Sequence, residues 1–359
     1  MHFDSVGVGQ RALERSRTYA NPRDPKLPRP HAGCMRQTCH PLSDNPAILR
    51  PMATPSPPRQ AHSAEYFGEQ RDHWWDHDYV SLMLRSWGIN TARSVLDLGC
   101  GIGHWGRVLL PHLPSDVSLV GLDREPEWVA KAQAIAAARA LDSRSRYVQG
   151  DATRIPFQDA EFDLVTCQTV LIHMPDAKAA IREMIRVLKP GGCVLVAEPN
   201  NLANAQAVGS PRFHEPIDQR LAMTRFQLTC ERGKEALGEG DNSIGELVPG
   251  LFAQLGLTDI KVSLSNRAAP LIPPYADAAQ QALRDQILDW STREFWIWNK
   301  DDSRRYFTAG GGTPEDFNNL WLLAMRLAQE EAQHLRDQTY HTAGGGLCYI
   351  VAGWKTPHA

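Results

Sequence analysis

The 359-residue chain has no cysteine framework. Its seven cysteines, an odd number, stand at 34, 39, 100, 167, 193, 230 and 348 without paired spacing. That excludes a disulfide scaffold and fits a reducing compartment, so a cytoplasmic location is expected. Cys34, Cys39 and His40 lie close together, but no second ligand pair at metal-site spacing follows, and no acidic or histidine cluster argues for a catalytic metal. An excess of one charge is missing too. Lys plus Arg number 38 against 41 Asp plus Glu, a net charge of −3, which argues against bulk binding to nucleic acid or to an anionic membrane. No run approaches the roughly 20 uninterrupted apolar residues of a membrane helix. The most apolar helical stretch, Leu320 to Ala328, is broken by Arg326. The N-terminus has no apolar h-region, which excludes a secretory signal, and Asp4, Glu14, Asp24 and Asp44 are unlike a transit peptide.

What is present is ordinary globular material, 42% hydrophobic and 22% charged, in a length that suits two domains or one domain with a large insertion. Ten of the 25 prolines fall in the first 60 positions, without helical or strand periodicity, so 1–59 reads as a disordered Pro-rich tail, with Met52 as an alternative start. From Ser94 short apolar runs alternate with helical segments, the signature of a parallel sheet with crossover helices. Strands are expected at 94–98, 118–122, 146–149, 162–167, 193–197, 259–264 and 347–352. Helices are expected at 126–140, 176–188 and 245–255. Pro190-Gly191-Gly192 should stop the second of these. About 80 residues separate the last two strands.

The densest signal is Asp97-Leu98-Gly99-Cys100-Gly101-Ile102-Gly103. A strand runs straight into a glycine-rich turn and then a helix, whose first N–H groups have no partner within the helix. Asp123 ends the next strand, where an acid can accept hydrogen bonds from both hydroxyls of a ribose. Together these imply a nucleoside-containing cofactor. Gly101-x-Gly103-x-x-Gly106 matches the dinucleotide fingerprint, which keeps an NAD-dependent dehydrogenase as an alternative. Asp97 is a poor neighbour for a pyrophosphate and suits a cationic ligand. Gly150-Asp151-Ala152 follows strand three, where an acid could read an adenine amino group.

The segment from Val95 to Pro199 resembles the class I S-adenosylmethionine-dependent methyltransferases, in particular the small-molecule group that includes the ubiquinone and menaquinone methyltransferases. The resembling stretches are Val95 to Gly103, Val120-Gly121-Leu122-Asp123, Gly150-Asp151-Ala152, Phe162-Asp163-Leu164-Val165, Leu171 to Asp176, and Arg186 to Gly192. They cover under a third of the chain and say little about the methyl acceptor. The resemblance implies an α/β, Rossmann-like, seven-stranded, mostly parallel sheet of order 3-2-1-4-5-7-6 with the last strand antiparallel. It implies S-adenosyl-L-methionine as cofactor. Asp97 with Gly99, Cys100, Gly101 and Gly103 should hold its amino-acid end, and Asp123 the ribose. Arg124 should flank the adenine, Asp151 and Ala152 should meet its edge, and Gln168 should sit beside the methionine moiety. Trp105, in the turn into the helix, is bulkier than the family pattern.

The core is then expected over 60–264 with an N-terminal cap helix within 61–90, a helical insertion over 265–343 acting as a lid, and the last strand in 344–359. The insertion's second helix should start at Thr313, with Pro314 in its first turn and Asp316 as capping partner. Its aromatics, and Tyr66, Trp74, Trp75 and Tyr79 before the core, read as packing residues of which a few line a pocket. Residues 200–240 read as an irregular connection. The Thr-Ala-Gly-Gly-Gly pairs at 308–312 and 342–346 read as flexible loops or hinges. The expected reaction is in-line transfer of a methyl group to a small-molecule acceptor, at oxygen or nitrogen rather than carbon. A general base is needed only for a hydroxyl or charged amine. His173 is the best-placed titratable candidate, against a plainer structural role, and His104 is weaker. Gln168-Thr169-Val170-Leu171 stands where some nucleic-acid methyltransferases carry an Asn/Asp-Pro-Pro-aromatic motif, which disfavours base amines. A non-catalytic methyltransferase-like binding module is the other alternative.

Overall fold

Strands that alternate with helices must bury both faces of their sheet, and the first strand does so: Val95, Leu96, Asp97 and Leu98 are all buried. The computed structural model describes Tyr66 and residues 68–357 except 267. The Pro-rich tail, with Cys34, Cys39 and His40, lies outside the described residues.

The sheet consists of β1 (Ser94–Leu98), β2 (Ser118–Asp123), β3 (Ser145–Gln149), β4 (Phe162–Gln168), β5 (Leu188–Pro199), β6 (Thr258–Leu264) and β7 (Cys348–Trp354). Its order is β3-β2-β1-β4-β5-β7-β6. The first five strands pair in parallel, and β7 runs antiparallel to both β5 and β6. This is the expected seven-stranded topology. The register sets Leu98 beside Leu122 and Cys167, so the carboxyl ends of β1, β2 and β4 lie side by side.

Helices α1 (His77–Ser86), α2 (His104–Leu109), α3 (Pro126–Ala138) and α4 (Ala177–Val187) precede or connect these strands, followed by the short α5 (Asn201–Asn204). Two apolar clusters cover the two faces. One packs Met184, Val187 and Phe252 on Leu96, Val165 and Val194. The other packs Met83, Leu84 and Trp105 on Val95, Leu119 and Leu195. Helix α4 ends at Val187, but Pro190–Gly192 do not separate it from the next strand. They form the start of β5, where the β4 register shifts and Gly191 N–H donates to the Lys355 carbonyl at 2.9 Å.

The largest departure from expectation is at 200–240. Instead of an irregular connection the chain forms a 20-residue helix, α6 (Ile217–Ala236). The expected helix over 245–255 is a 3-10 turn, Ile244–Leu247, followed by α7 (Val248–Gln254). The insertion carries three helices, α8 (Ala278–Thr292), α9 (Lys300–Ala309) and α10 (Pro314–Arg336). Thr313 caps the last through its hydroxyl, which accepts from Asp316 N–H at 3.1 Å. Phe307, Phe317, Trp298 and Trp321 join Phe226 of α6 in one buried aromatic cluster, with Trp296 stacked on Phe226 at 4.6 Å. The insertion's aromatic stripe is therefore largely core. The first Thr-Ala-Gly-Gly-Gly lies in close packing, where a Cβ on Gly310 would meet the Thr229 carbonyl at 2.0 Å. Among the described residues no helix is long and apolar enough to cross a membrane.

Candidate functional site

The carboxyl ends of β1, β2 and β4 present three polar side chains that the fold has removed from water. Asp97 is 1% exposed at the end of β1. One of its carboxylate oxygens, Oδ2, accepts from the Gly106 N–H of α2 at 3.0 Å, and the other has no partner. Burial pushes its pKa up to about 7, against the Gly106 N–H and the charges of Arg71 and Arg107, which pull it down. An unpartnered buried carboxylate oxygen is costly unless a donor or cation arrives. Gln168 at the end of β4 is buried with its side-chain carbonyl also unpartnered.

Asp123 closes β2. Its Oδ2 accepts from Gly101 N–H at 2.8 Å and its Oδ1 from Glu125 N–H at 3.0 Å. A carboxylate has about four acceptor sites, so roughly two remain for a diol. The same residue fixes the glycine loop and the start of α3. Burial raises its pKa, and the two N–H groups restrain that rise.

The loop itself needs its glycines. Gly99 has φ +62, and a Cβ there would meet Val170 at 2.6 Å; Gly103 has φ +77, and a Cβ would meet the Tyr147 hydroxyl at 2.6 Å and its ring at 2.8 Å. Cys100 is buried, its N–H bonded to the Leu122 carbonyl at 3.0 Å and its thiol pushed up by burial. Trp105 turns inward. Its indole N–H donates to Thr166 Oγ1 at 2.7 Å and its ring lies 4.7 Å from Trp75, so its bulk is spent in the core.

The remaining sequence candidates take less enclosed positions. Asp151 is exposed, and its Oδ1 accepts from the N–H and the hydroxyl of Thr153, each at 2.7 Å, which lowers its pKa. Ala152 packs on the sheet's main cluster. Arg124 is exposed and ion-paired with Glu125 at 3.0 Å. His173 is half-buried in the 3-10 turn Leu171–His173, directly after β4, with its N–H on the Val170 carbonyl at 2.9 Å. His104 is buried and held neutral, its pKa pushed down to about 2 by burial and by Arg71, Arg107 and Arg139.

Three residues were missed by sequence reasoning. Glu198, at the end of β5, is fully buried; its Oε1 accepts from Val170 N–H and Leu171 N–H, each at 2.9 Å, while Oε2 has no partner. Burial pushes its pKa up to about 7. Lys234 of α6 is buried, and its ammonium donates to the carbonyls of Ile172 and Glu239 at 2.6 Å and of Gly240 at 3.2 Å. The Glu198 carboxyl group thus holds the N–H end of the 170–173 turn and the Lys234 amine its carbonyl end. Arg71, in the 3-10 turn Glu69–His73, is the third. An acid ending a strand was a signal for Glu198; nothing local marked the other two.

A cation-seeking oxygen on Asp97, spare acceptor sites on Asp123, the unpartnered Gln168 carbonyl and a tight glycine loop together fit a nucleoside ligand that carries an amino-acid end. Among the described residues no group of three or more His, Cys, Asp or Glu is placed to hold a metal.

Comparison with known proteins agrees with that geometry. Residues 95–192 match the model of a methyltransferase domain. The chain is similar to ajmaline N-methyltransferase of Rauvolfia serpentina, 38% identical over 29% of this chain and 35% of the relative. It is similar to 2-methyl-6-phytyl-1,4-hydroquinone methyltransferase of Synechocystis, 26% identical over 57% and 60%. It is similar also to the sterol 24-C-methyltransferase erg6 of Aspergillus fumigatus, 34% identical over 31% and 29%. The match thus spans between 29% and 60% of the length of these relatives.

Proposed function

We propose, from a chain whose residues 95–192 form a class I S-adenosylmethionine-dependent methyltransferase domain, that the protein transfers a methyl group to a small-molecule acceptor. The observation that carries this reading is the pair of strand-end carboxylates, Asp97 and Asp123, on either side of the glycine loop. When bound, S-adenosylmethionine supplies a sulfonium-activated methyl group that is displaced in line. Asp97 offers its unpartnered oxygen to the ligand's ammonium. Asp123 accepts from the ribose hydroxyls while holding Gly101 in place. Gln168 faces the methionine moiety. Arg124, Asp151 and Ala152 border the adenine, with Asp151 and Ala152 at its edge.

Electrostatics and alignment carry much of such a step, because the leaving group is already charged. A base is required only where the accepting atom bears a proton. His173 takes that part, on a turn fixed at both ends by Glu198 and Lys234. Relatives that methylate nitrogen and relatives that methylate carbon both match the domain, and oxygen or nitrogen is the acceptor atom preferred here, with His173 as the proposed base. The absence of a transmembrane helix among the described residues, together with the cysteine usage, supports a cytoplasmic enzyme acting on a dissolved acceptor.

Calorimetric titration of the full chain with S-adenosylmethionine, S-adenosylhomocysteine and NADH tests the cofactor. Micromolar binding of the first two is expected, weakened at least tenfold by Asp123→Ala. Binding of NADH alone would restore the dehydrogenase reading. Cofactor binding with no turnover on any screened acceptor would favour the non-catalytic module.

A further inference from the structure

The proposed cofactor and base leave one cavity of the molecule unused. About 540 Å3 of open space lies where the chain after α5 turns into α6, lined in part by Val208, Phe213, Glu215, Ile217, Arg220 and Leu221. Among its described lining residues none belongs to the glycine loop, β1 or β2. Its rim is apolar. Phe213, Ile217 and Leu221 stand four positions apart and are 70%, 76% and 60% exposed. Ile217 and Leu221 share one side of the first turns of α6. Single apolar residues on a surface need no explanation, but three that converge on one cavity are the mark of a binding surface.

The polar side of the cavity is held in order. The Glu215 side chain is buried, and all its contacts are to cationic or amide donors. Its Oε1 accepts from Arg212 Nη2 at 3.0 Å and lies 3.1 Å from Arg220 Nε; its Oε2 accepts from Arg212 Nε at 3.2 Å and from the Gln219 amide at 3.1 Å. Gln219 is itself oriented by Arg326, which donates to its carbonyl at 2.8 Å. Arg220 also donates through Nη2 to the Arg212 carbonyl at 2.9 Å, and its Nη1 has no hydrogen-bond partner among the described residues. Two guanidiniums thus share one carboxylate. Burial raises the Glu215 pKa, but Arg212, Gln219 and Arg220 together hold it below the usual range. Glu331 of α10 also faces Arg212, and burial raises its pKa. The Arg220 fork is therefore fixed at two points, shares its only cavity-lining counter-charge with Arg212, and keeps one nitrogen for a ligand beside an apolar rim. Apolar walls with a few placed polar groups are what a small-molecule site presents.

We infer that this cavity binds an anionic amphiphile, one molecule at a time, with its carboxylate or phosphate on Arg220 and its apolar body across Phe213, Ile217 and Leu221. The site lies outside the matched domain and does not rest on the proposed cofactor.

The test is calorimetry on the full chain with decanoate, decyl phosphate and 1-decanol, all below their aggregation limits. At least one of the two anions should bind, and at least tenfold more tightly than the alcohol, which carries the same apolar chain without the charge. Arg220→Gln should raise the dissociation constant of that anion roughly 10- to 100-fold and leave 1-decanol within about twofold. Because that variant also unpairs Glu215, a second one guards against a folding defect. Ile217→Asp changes a side chain that is 76% exposed, so the thermal midpoint should hold within about 2 °C, while the added charge should weaken the anion at least tenfold. An alcohol bound as tightly as the anions would overturn the inference, as would no binding of either anion, or anion binding that both variants leave unchanged. Ile217-dependent binding to phosphatidylglycerol vesicles without binding of either free anion would assign the rim to a membrane surface instead. An Ile217-dependent dimer that the anions do not dissociate would assign it to a second copy of the chain, and either result overturns the inference. Failure of S-adenosylhomocysteine to bind would sink the cofactor reading alone and leave this one standing.

Discussion

Glu198 is a carboxyl group that the fold tolerates best when neutral, and this has a measurable consequence. It is fully buried; one oxygen receives two backbone N–H groups and the other receives none. Burial pushes its pKa from 4.5 to about 7. The native state therefore binds more protons than the unfolded chain across that window, and stability falls as pH rises through it. At about 1.4 kcal/mol per pKa unit, the loss between pH 5 and pH 8 is on the order of 2.5 kcal/mol. Glu198→Gln keeps an acceptor for Val170 and Leu171 and cannot ionise. Its new amide N–H groups carry a cost for lacking partners, of about 1–3 kcal/mol, but that cost does not vary with pH.

The assay is denaturant unfolding of both proteins at pH 5 and pH 8. The quantity of interest is the change in their stability difference between the two pH values. Asp97 also titrates near pH 7, but it does so in both proteins and cancels. The variant should gain about 2.5 kcal/mol on the wild type between pH 5 and pH 8, roughly 3 °C in midpoint temperature for a chain of this size. Parallel pH dependence in the two proteins would refute the reasoning, because it would mean that Glu198 is ionised throughout or solvated in the native state.

Two further outcomes follow from the 170–173 turn. Gly240 has φ +88, and a Cβ there would stand 2.5 Å from the Ile172 carbonyl and 2.8 Å from Met174 N, so Gly240→Ala should cost about 2–4 kcal/mol in unfolding experiments; a loss under 1 kcal/mol would show that the two turns do not abut. Lys234→Met removes the donor shared by three carbonyls, and the amides of Leu171 to Met174 should exchange hydrogen at least tenfold faster while affinity for S-adenosylhomocysteine stays within about twofold. Unchanged exchange would remove Lys234 from any positioning role.

The sheet and the placing of Asp97 and Asp123 at neighbouring strand ends were legible in the sequence because each piece is local. Asp97 and the glycines it precedes belong to one strand, one turn and one helix. Asp123 ends the following strand, and the apolar runs that set the β1–β2–β4 register are continuous. Helix α6 was not legible for a physical reason. Its buried residues include Gln227, Glu231 and Lys234, while Ile217 and Leu221 near its start are exposed. Apolar periodicity is the signal a sequence offers for a helix, and here the polar residues face inward. They are tolerated because partners arrive from elsewhere: Gln227 donates to the Asn201 carbonyl at 3.0 Å, and the Ser243 hydroxyl donates to Glu231 at 2.7 Å. The expectation of an irregular connection over 200–240 failed because these inward polar residues find partners and hold α6 in place.

That polar face joins the two halves of the molecule. Glu198 reaches back from β5 to hold the N–H groups of Val170 and Leu171, and Lys234 reaches down from α6 to hold the Ile172 carbonyl, 62 positions earlier in the chain. The turn between them follows Gln168 and carries His173. Through Glu239, whose carboxylate pairs with Arg305 and accepts from the Tyr306 hydroxyl at 2.7 Å, the same junction continues into α9 of the insertion. Displacing the insertion would therefore strain the turn that carries the proposed base before it disturbed the glycine loop, which abuts Val170 of that turn at Gly99 but whose hydrogen bonds run to β2 and α2. Changes in α6 and α9 are expected to alter acceptor use, and changes at Asp97 or Asp123 to alter cofactor affinity. A variant of Arg305 that weakened nucleoside binding as strongly as Asp123→Ala would contradict that division.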